Sequence, residues 1–407
     1  MKPLSVAIWH NLPSGGGKRA LRQQVAGLQA RGHRVKVWTS ATADQDFLRL
    51  SDLVEERTLA WRHQDSNRVA RALDPLRSFK DASNAMDGMC ADAAREMVSE
   101  GFDVILAHGC RMFVVPPIAQ KTKLPCVLYS QEPNRGVYEA RPELRWVALR
   151  PQSAWPWSRS AVSQWREIAR VGAAAAYERA EASKFDRILV NSYFSREAVV
   201  RCYGLDATVC YLGVDVNLFH PSSLQKQPYI VGLGAAEPHK GLELAVSTVA
   251  LLPGNSPRRL IWMANMASAA YADDIRALAQ RLNITFELRH QVSESELVDT
   301  LGNAAAFLYC STLEPFGFAP LEAMACGTPV VSVSEGGVRE YIQHGVNGLL
   351  TSDRTPAALA EHLSAIVASP ELTKRLGDAG RNTAVENWTL ARAIDRLESH
   401  LQDVVSH

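Results

Sequence analysis

Short apolar runs alternate along the chain with segments in which apolar residues recur at helical spacing. The clearest helical segment places Leu21, Val25 and Leu28 on one face, between apolar runs at 5–9 and 34–39. Further apolar runs of strand length lie at 104–107, 126–129, 187–191, 229–233, 260–264, 284–288, 306–310 and 329–333. Because strands that alternate with helices form parallel sheets covered on both faces, this pattern predicts an α/β fold.

One polar stretch interrupts the alternation. Residues 220–228 read HPSSLQKQP, with a proline near each end, and are the best candidate for a linker. A chain of 407 residues is also too long for one ordinary hydrophobic core. We therefore predict two doubly wound α/β domains that face each other and meet near residue 222.

Charge and composition argue against several classes of protein. The formal net charge is +1, so the chain lacks the basic field of a nucleic-acid-binding protein, and no nucleic-acid partner is expected. No apolar run approaches the ~20 residues that span a bilayer. The seven cysteines are scattered without a CxxC pair, which favours free thiols in a reducing cytoplasm over disulfides or a zinc site. The opening run MKPLSVAIWHNL is expected to form the first strand and not a signal peptide.

Two glycine-rich loops follow predicted strands. Gly15, Gly16 and Gly17 lie between the first strand and the first helix, and Gly336 and Gly337 follow the strand at 329–333. Such loops let a backbone approach a phosphate, next to the unpaired N–H groups of a helix N-terminus. The first loop is also compatible with a tight turn that binds nothing. One loop in each half suggests a ligand held in the cleft between the halves.

The stretch from Glu314 to Glu322 resembles the E-x7-E motif of retaining glycosyltransferases of the GT-B fold, family 4 (group 1 type). Matching family positions occur in the same order over nearly the whole chain: Ser14-Gly15-Gly16, Gly32, Asp103, His108, Asn191-Ser192, Gly213, Asp215, Gly234, Lys240-Gly241, Glu340, Asn347-Gly348 and Trp388. The resemblance implies two Rossmann-like domains facing a central cleft: an acceptor-binding domain at 1–221 and a nucleotide-sugar-binding domain at 222–388. The last helix, about 389–407, would pack back on the first domain.

The implied activity is retaining transfer of a hexose from a UDP- or GDP-linked sugar to a hydroxyl of a glycan, lipid-linked or small-molecule acceptor. No metal ion or other cofactor is expected, because Lys240 and two helix N-termini could stabilise the charge of the diphosphate. The alternative is a GT-B protein that binds a nucleotide sugar with weak or no transfer.

Two carboxylates separated by a turn suit a donor with a diol at each end, because an ionised carboxylate accepts the hydrogen bonds that a diol donates. Pro315 and Gly317 place Glu314 in a loop, and Glu322 is expected in the first turn of the following helix, where the helix dipole favours an anion. By resemblance, Glu322 would bind the ribose and Glu314 the transferred sugar. The alternative is a pair of solvated acids. Further donor contacts are implied for Val292, Phe316, Gly317 and Phe318, besides the glycines Gly15, Gly16, Gly336 and Gly337.

Lys240 is expected at the start of a helix, where its charge would suit the diphosphate. The family usually has an arginine five residues earlier, and this chain has Ala235 there. The resemblance implies a catalytic set of Lys240, Glu314 and His108, with His108 hydrogen-bonded to the transferred sugar. The alternatives are a surface lysine and a buried structural histidine.

Acceptor contacts are predicted in the first half, at Glu132, Arg135 and Ser192. The segment 141–170 contains four of the nine tryptophans and many arginines, a composition that favours an interface with a membrane or a sugar-bearing partner. Peripheral contact with the inner face of the membrane is therefore one interpretation of this segment. The other is an insertion whose tryptophans pack on the first domain.

Overall fold

The computed structural model describes residues 2–62, 74, 76–110, 112–139, 159–254 and 256–406, and for 159–164 the backbone alone. The chain divides into two compact units. The first comprises residues 1–191, 195–210 and 396–407, and the second comprises 192–194 and 211–395. Each unit is built around one parallel sheet, as the alternating pattern predicts.

The sheet of the first unit has the order β3-β2-β1-β4-β5-β6-β7, and all its described pairings are parallel. Its strands are β1 (Ser5–Asn11), β2 (Arg34–Ser40), β3 (Glu56–Leu59), β4 (Val104–Cys110), β5 (Cys126–Ser130), β6 (Arg187–Val190) and β7 (Thr208–Val209). The accompanying helices are α1 (Gly16–Ala30), α2 (Arg77–Ser99), α3 (Arg135–Tyr138), α4 (Arg159–Ala182) and α5 (Tyr193–Tyr203), with a short 3₁₀ turn at Ala119–Lys121. Buried side chains of β1, β4 and β5 pack with methionines of α2 in one core cluster.

The sheet of the second unit has the order β10-β9-β8-β11-β12-β13, again parallel throughout its described pairings. Its strands are β8 (Gln227–Leu233), β9 (Arg259–Ala264), β10 (Thr285–His290), β11 (Ala304–Tyr309), β12 (Val330–Val333) and β13 (Leu349–Thr351). Its helices are α6 (Leu242–Ala250), α7 (Ala269–Arg281), α8 (Glu294–Asn303), α9 (Phe318–Ala325), α10 (Pro356–Ala368), α11 (Pro370–Asn387) and α12 (Leu390–Ser406), with 3₁₀ turns at Pro238–Lys240 and Gly336–Glu340. A second core cluster joins α6, α10 and this sheet.

The main part of the second unit begins at Tyr211, earlier than the polar stretch at 220–228. Residues 211–219 are held there by backbone contacts: the Val214 N–H donates to the Trp388 carbonyl at 2.8 Å. The guanidinium of Arg381 also donates to the carbonyls of Val216 and Phe219. The polar composition of 220–228 indicates an exposed linker. The unit with which residues 211–219 pack is decided by these contacts.

The end of α12 belongs to the first unit, from Arg396 onward. There Glu398 lies 3.1 Å from Nε2 of His33 and 3.3 Å from Nε of Arg31. Both His33 and Glu398 are buried, so the contact between them is shielded from solvent. Among the described helices, none is both long and apolar enough to cross a membrane.

Strand order reverses once in each sheet, between β1 and β4 in the first unit and between β8 and β11 in the second. In open parallel sheets the loops that follow these two strands diverge and leave a crevice in which ligands bind. The two switch points therefore locate one candidate site in each unit.

Candidate functional site

At the switch point of the second unit, Lys240 and Glu314 form an ion pair. Lys240 lies on the loop after β8 and Glu314 on the loop after β11, and Nζ lies 2.5 Å from Oε2. The two side chains are 17% and 26% exposed. Exposed pairs contribute about 1 kcal/mol or less, and partial burial here reduces the screening by water and salt. The strand order brings these charges together from positions 74 residues apart.

The loop that carries Glu314 has an unusual backbone. Leu313 has φ of 47° and Gly317 has φ of 85°, both in the left-handed region. This conformation is easily adopted by glycine but costs a leucine on the order of 1–3 kcal/mol. Surrounding contacts must therefore hold the loop in place.

The glycine pair Gly336–Gly337 supplies part of that restraint. The Gly337 N–H donates to the Glu314 carbonyl at 2.9 Å. A Cβ atom at Gly336 would lie 2.2 Å from the Glu314 carbonyl oxygen, and one at Gly337 would lie 2.1 Å from that of Pro315. The glycines thus allow two backbones to pack in direct contact, and they open a 3₁₀ turn of five residues.

Aromatic rings lie behind the same loop. Phe316 is buried, and its ring centroid lies 5.3 Å from that of Phe318, 5.8 Å from Tyr341 and 5.9 Å from Trp388. The Tyr341 hydroxyl donates to the Gly317 carbonyl at 2.6 Å. Phe316 and Gly317 are therefore anchored from within the unit, while Phe318 is half-buried.

The sequence predicts Glu322 in the first turn of its helix, but the structure places it elsewhere. Because Gly317 serves as the N-cap of α9, Phe318 begins the helix and Glu322 is its fifth residue, in the second turn. The side chain is 2% exposed. Pro320 lies in the first turn of the helix, and Gly327 follows just after its end.

Lys240 also differs from its predicted position. It ends the 3₁₀ turn Pro238–Lys240, and Gly241 separates it from α6. Ala235 lies on the same loop and is half-buried, and His239 lies 3.3 Å from Glu237. Val292 is half-buried between β10 and α8. The structure therefore brings Lys240 together with Glu314, whereas no described contact joins Val292 to them.

In the first unit, Gly15 caps α1 with φ of 134°, and Gly16 begins the helix, so the glycine loop lies at the switch point as predicted. His108 is not placed after its strand. It lies within β4, where it pairs with Tyr129 of β5, and the strand continues to Cys110, which pairs with Asn11 of β1. The ring is fully buried and stacks on Tyr129 at 5.5 Å.

Burial dominates the electrostatics around His108. It lowers the pKa of His108 to about 3, and the charge of His10 is a second cause in the same direction. Burial likewise lowers the pKa of His10 to about 4, against the opposing effect of Glu56, whose Oε1 lies 3.6 Å away. Neither ring nitrogen of His108 has a hydrogen-bond partner among the described residues. His108 is therefore a buried, uncharged group whose ring nitrogens have no described partner.

The three predicted acceptor residues fall in different units, Glu132 and Arg135 in the first and Ser192 in the second. Glu132 and Arg135 lie next to each other after β5, with Oε2 and Nε 2.7 Å apart. Ser192 is buried, and its hydroxyl donates to the Pro315 carbonyl at 2.5 Å within the second unit. Most of the segment 141–170, including Trp146, Trp155 and Trp157, lies outside the described residues. Trp165 on α4 is 70% exposed.

Two residues near the Glu314 loop carry contacts that the sequence does not reveal. Arg354 donates to the Cys310 carbonyl at 2.7 Å and lies 3.3 Å from Glu335. Glu340, matched above only as a family position, accepts from the N–H groups of Tyr193 and Phe194, each at 3.0 Å. Their partners are mainly distant backbone groups, for which no sequence pattern exists.

Within the part of the chain that the structure describes, no group of three or more His, Cys, Asp or Glu side chains is arranged to hold a metal ion.

Comparison with known proteins agrees with this architecture. The family model "Glycosyltransferase Family 4" matches residues 14–218, and "Glycosyl transferases group 1" matches residues 217–383. D-inositol 3-phosphate glycosyltransferase of Streptomyces bingchenggensis is 28% identical over 232 residues, 51% of each chain. Alpha-maltose-1-phosphate synthase of Mycobacterium tuberculosis is 26% identical over 230 residues, 50% of this chain and 59% of that protein. The chain thus spans little more than half the length of these curated relatives.

Among solved structures, HepE from Anabaena superposes with a TM-score of 0.74 at 17% identity, covering 98% of this chain and all of that one. HepE was solved in complexes with UDP and with UDP-glucose. A likeness at this identity shows the fold. Since one family model matches half of the chain and a second continues it to residue 383, the protein has the GT-B fold and belongs to glycosyltransferase family 4.

Proposed function

We propose that the protein is a retaining glycosyltransferase that transfers a hexose from a nucleoside-diphosphate sugar to a hydroxyl acceptor. The observation that supports this most directly is the ion pair between Lys240 and Glu314 at the switch point of the second unit. In a sugar nucleotide, the diphosphate and the sugar hydroxyls lie on either side of the bond that breaks. The lysine cation suits the diphosphate, and the glutamate carboxylate suits the hydroxyls.

The ion pair is compatible with donor binding. A lysine ammonium has three donors, so Lys240 can keep one hydrogen bond to Glu314 and direct the others to phosphate oxygens. Glu314 then holds the lysine in place and still accepts from a sugar hydroxyl. Lys240 would stabilise the negative charge that develops on the departing diphosphate.

Glu322 is proposed to bind the ribose through its carboxylate, and the backbone around Gly317 to add hydrogen-bond groups. Gly336 and Gly337 act at least in part by supporting the Glu314 loop, as their contacts with Glu314 and Pro315 indicate. UDP is the first nucleotide to test, because HepE was solved with UDP and UDP-glucose. GDP remains the second choice.

The first unit is proposed to supply the acceptor contacts, with Glu132 and Arg135 as candidates. With a pKa of about 3, His108 is uncharged at neutral pH, so it would act as a hydrogen-bonding group for a sugar hydroxyl and not as a cation. In the retaining reaction that we propose, the acceptor attacks on the face from which the diphosphate leaves, and the leaving phosphate takes the acceptor proton. The chain's own contribution is positioning and charge stabilisation.

The test is a thermal-shift screen against UDP, GDP and ADP, followed by hydrolysis assays with the matching sugar nucleotides. A nucleotide at 100 times its dissociation constant raises the free energy of unfolding by ~2.7 kcal/mol. Slow hydrolysis of one donor by the wild type, and its loss in Glu314→Gln, would support the enzyme. Binding without hydrolysis or transfer to any acceptor would favour the alternative, a nucleotide-sugar-binding protein.

Metal independence and retention are tested with the same donor. We expect hydrolysis to persist in EDTA and the initial product to keep the anomeric configuration of the donor by NMR. Activity that is lost in EDTA and restored by magnesium or manganese would contradict the assignment of the diphosphate charge to Lys240. An inverted product would contradict the retaining mechanism.

A further inference from the structure

We propose that Arg354 is a positioning residue that holds Glu314 in its reactive place; the inference rests on the proposed function. Arg354 lies in the turn between β13 and α10. Its Nη2 donates to the Cys310 carbonyl at 2.7 Å, and Nη1 lies 3.3 Å from Oε2 of Glu335, with a longer 3.5 Å contact to the Ser311 carbonyl. One guanidinium therefore joins two loops that lie far apart in the sequence.

Both loops lead directly to Glu314. Cys310 follows the last residue of β11 and begins the loop that carries Glu314. Glu335 precedes Gly336 and Gly337, and the Gly337 N–H donates to the Glu314 carbonyl. Arg354 thus fixes the start of the Glu314 loop relative to the turn that supports it on the other side.

The loop needs such a restraint because its backbone is strained. Leu313, directly before Glu314, has φ of 47°, a conformation that a leucine leaves when its surroundings permit. An arginine suits the task since its planar fork can donate to two acceptors at once, whereas a lysine offers a single centre of charge. The donors of Arg354 point at backbone and Glu335 oxygens. It is therefore not our candidate for the diphosphate charge that the chain lacks at Ala235.

The experiment compares wild type, Arg354→Ala and Arg354→Lys in the full chain, with Arg375→Ala as the matched control. Arg375 also donates to a backbone carbonyl of the second unit, that of Gly345 at 3.0 Å, but on another part of its surface. Hydrogen exchange of the peptide covering 310–317, the dissociation constant of UDP and the kcat of UDP-sugar hydrolysis are measured for each.

We expect Arg354→Ala to speed exchange at 310–317 and to lower kcat by about tenfold or more, since small displacements of a reacting group have effects of this size. UDP affinity should change by less than about threefold, because the proposed ribose ligand, Glu322, lies on α9 and makes no described contact with Arg354. Arg354→Lys should recover part of kcat, and Arg375→Ala should resemble the wild type in all three measurements.

Unchanged exchange or unchanged kcat in Arg354→Ala would overturn the inference, and so would equal losses of UDP affinity and kcat, which indicate general disruption. If Arg354→Ala does not fold, the inference is decided by Arg354→Lys, which must show lower kcat with near-normal UDP affinity. A wild type that neither binds nor hydrolyses any sugar nucleotide would instead refute the proposed function. If only the inference about Arg354 is wrong, the wild type still binds and hydrolyses a sugar nucleotide.

Discussion

At the scale of single residues, the two glutamates of the E-x7-E motif lie in different surroundings. Glu314 is partly exposed and paired with Lys240, whereas Glu322 is almost completely buried within α9. The difference follows from Gly317, which lies between them, ends the loop and caps the helix that begins at Phe318. Separate surroundings are consistent with separate roles toward the two ends of a donor.

We predict that Glu322→Gln weakens UDP binding, while Glu314→Gln leaves free UDP binding nearly intact and abolishes transfer. A hydrogen bond to a charged group contributes on the order of 1.5–3 kcal/mol, which corresponds to about ten- to a hundredfold in affinity. Calorimetric titration with UDP measures both variants. Glu361→Gln on the exposed face of α10 serves as the control. Equal losses of affinity in Glu314→Gln and Glu322→Gln would contradict the division of roles.

The position of Ala235 allows a gain-of-function test. If Lys240 alone carries the diphosphate, Ala235→Arg should tighten UDP binding by about tenfold, the equivalent of ~1.4 kcal/mol. Lys240→Ala should weaken binding by more, because it removes the remaining cation and leaves Glu314 without its partner. Titration of UDP into each variant measures the effect.

The matched control is Lys374→Ala, which removes an exposed lysine of the same unit that pairs with Asp378. Unchanged binding in Lys240→Ala would remove the diphosphate role from this lysine. Weaker binding in Ala235→Arg would indicate that another basic residue already occupies the place.

At the scale of elements, the turn Gly336–Glu340 and the Glu314 loop form one packed unit. A methyl group at residue 337 would lie 2.1 Å from the Pro315 carbonyl oxygen and 2.9 Å from Cα of Phe316, both of them backbone atoms. Backbone cannot move aside as a flexible side chain would. The two loops must therefore separate, or the fold must distort, to admit any side chain there.

We predict that Gly337→Ala lowers the free energy of unfolding by about 1–3 kcal/mol, the usual range for overpacking, and reduces hydrolysis through displacement of Glu314. Denaturant unfolding and the hydrolysis assay measure the two effects. Gly254→Ala is the control, because a Cβ there meets no atom within 4 Å. A Gly337→Ala variant as stable and as active as the wild type would show that the loops separate without consequence.

At the scale of the whole molecule, buried neutral histidines couple stability to pH. The folded-state pKa values of His10 and His108, about 4 and about 3, lie below the ordinary value of 6.5. Protons therefore bind the unfolded chain preferentially. The stability contributed by the neutral forms is fully present above pH 6.5 and is lost as pH falls from 6.5 toward 4.

We predict that the thermal midpoint falls between pH 6.5 and 4.5 and that His10→Asn shows a shallower fall than the wild type. Each histidine contributes on the order of 1.4 kcal/mol per pH unit in this window. His220→Asn, which changes an exposed histidine, should keep the wild-type pH dependence. Identical slopes for wild type and His10→Asn would contradict burial as the origin of the effect.

The long central strands could be predicted from sequence because each is an apolar run buried on both faces. The edge strands β3, β7 and β13 could not be predicted in this way. The strand β3 reads ERTL and is mostly exposed, and β7 contains two residues, so neither has an apolar signature. They are strands because their backbone groups pair with a neighbouring strand, and not because their side chains are apolar.

The sequence by itself determined the α/β class, the positions of the glycine loops and the motif Glu314–Glu322, because each depends on residues close together in the chain. Only the tertiary structure decided that His108 lies inside β4, that Glu322 lies in the second turn of α9 and that Arg354 joins Cys310 to Glu335. It also decided that Lys240 and Glu314 meet. These facts depend on strand order and on contacts with backbone atoms, which all residue types share, so no local pattern of side chains encodes them.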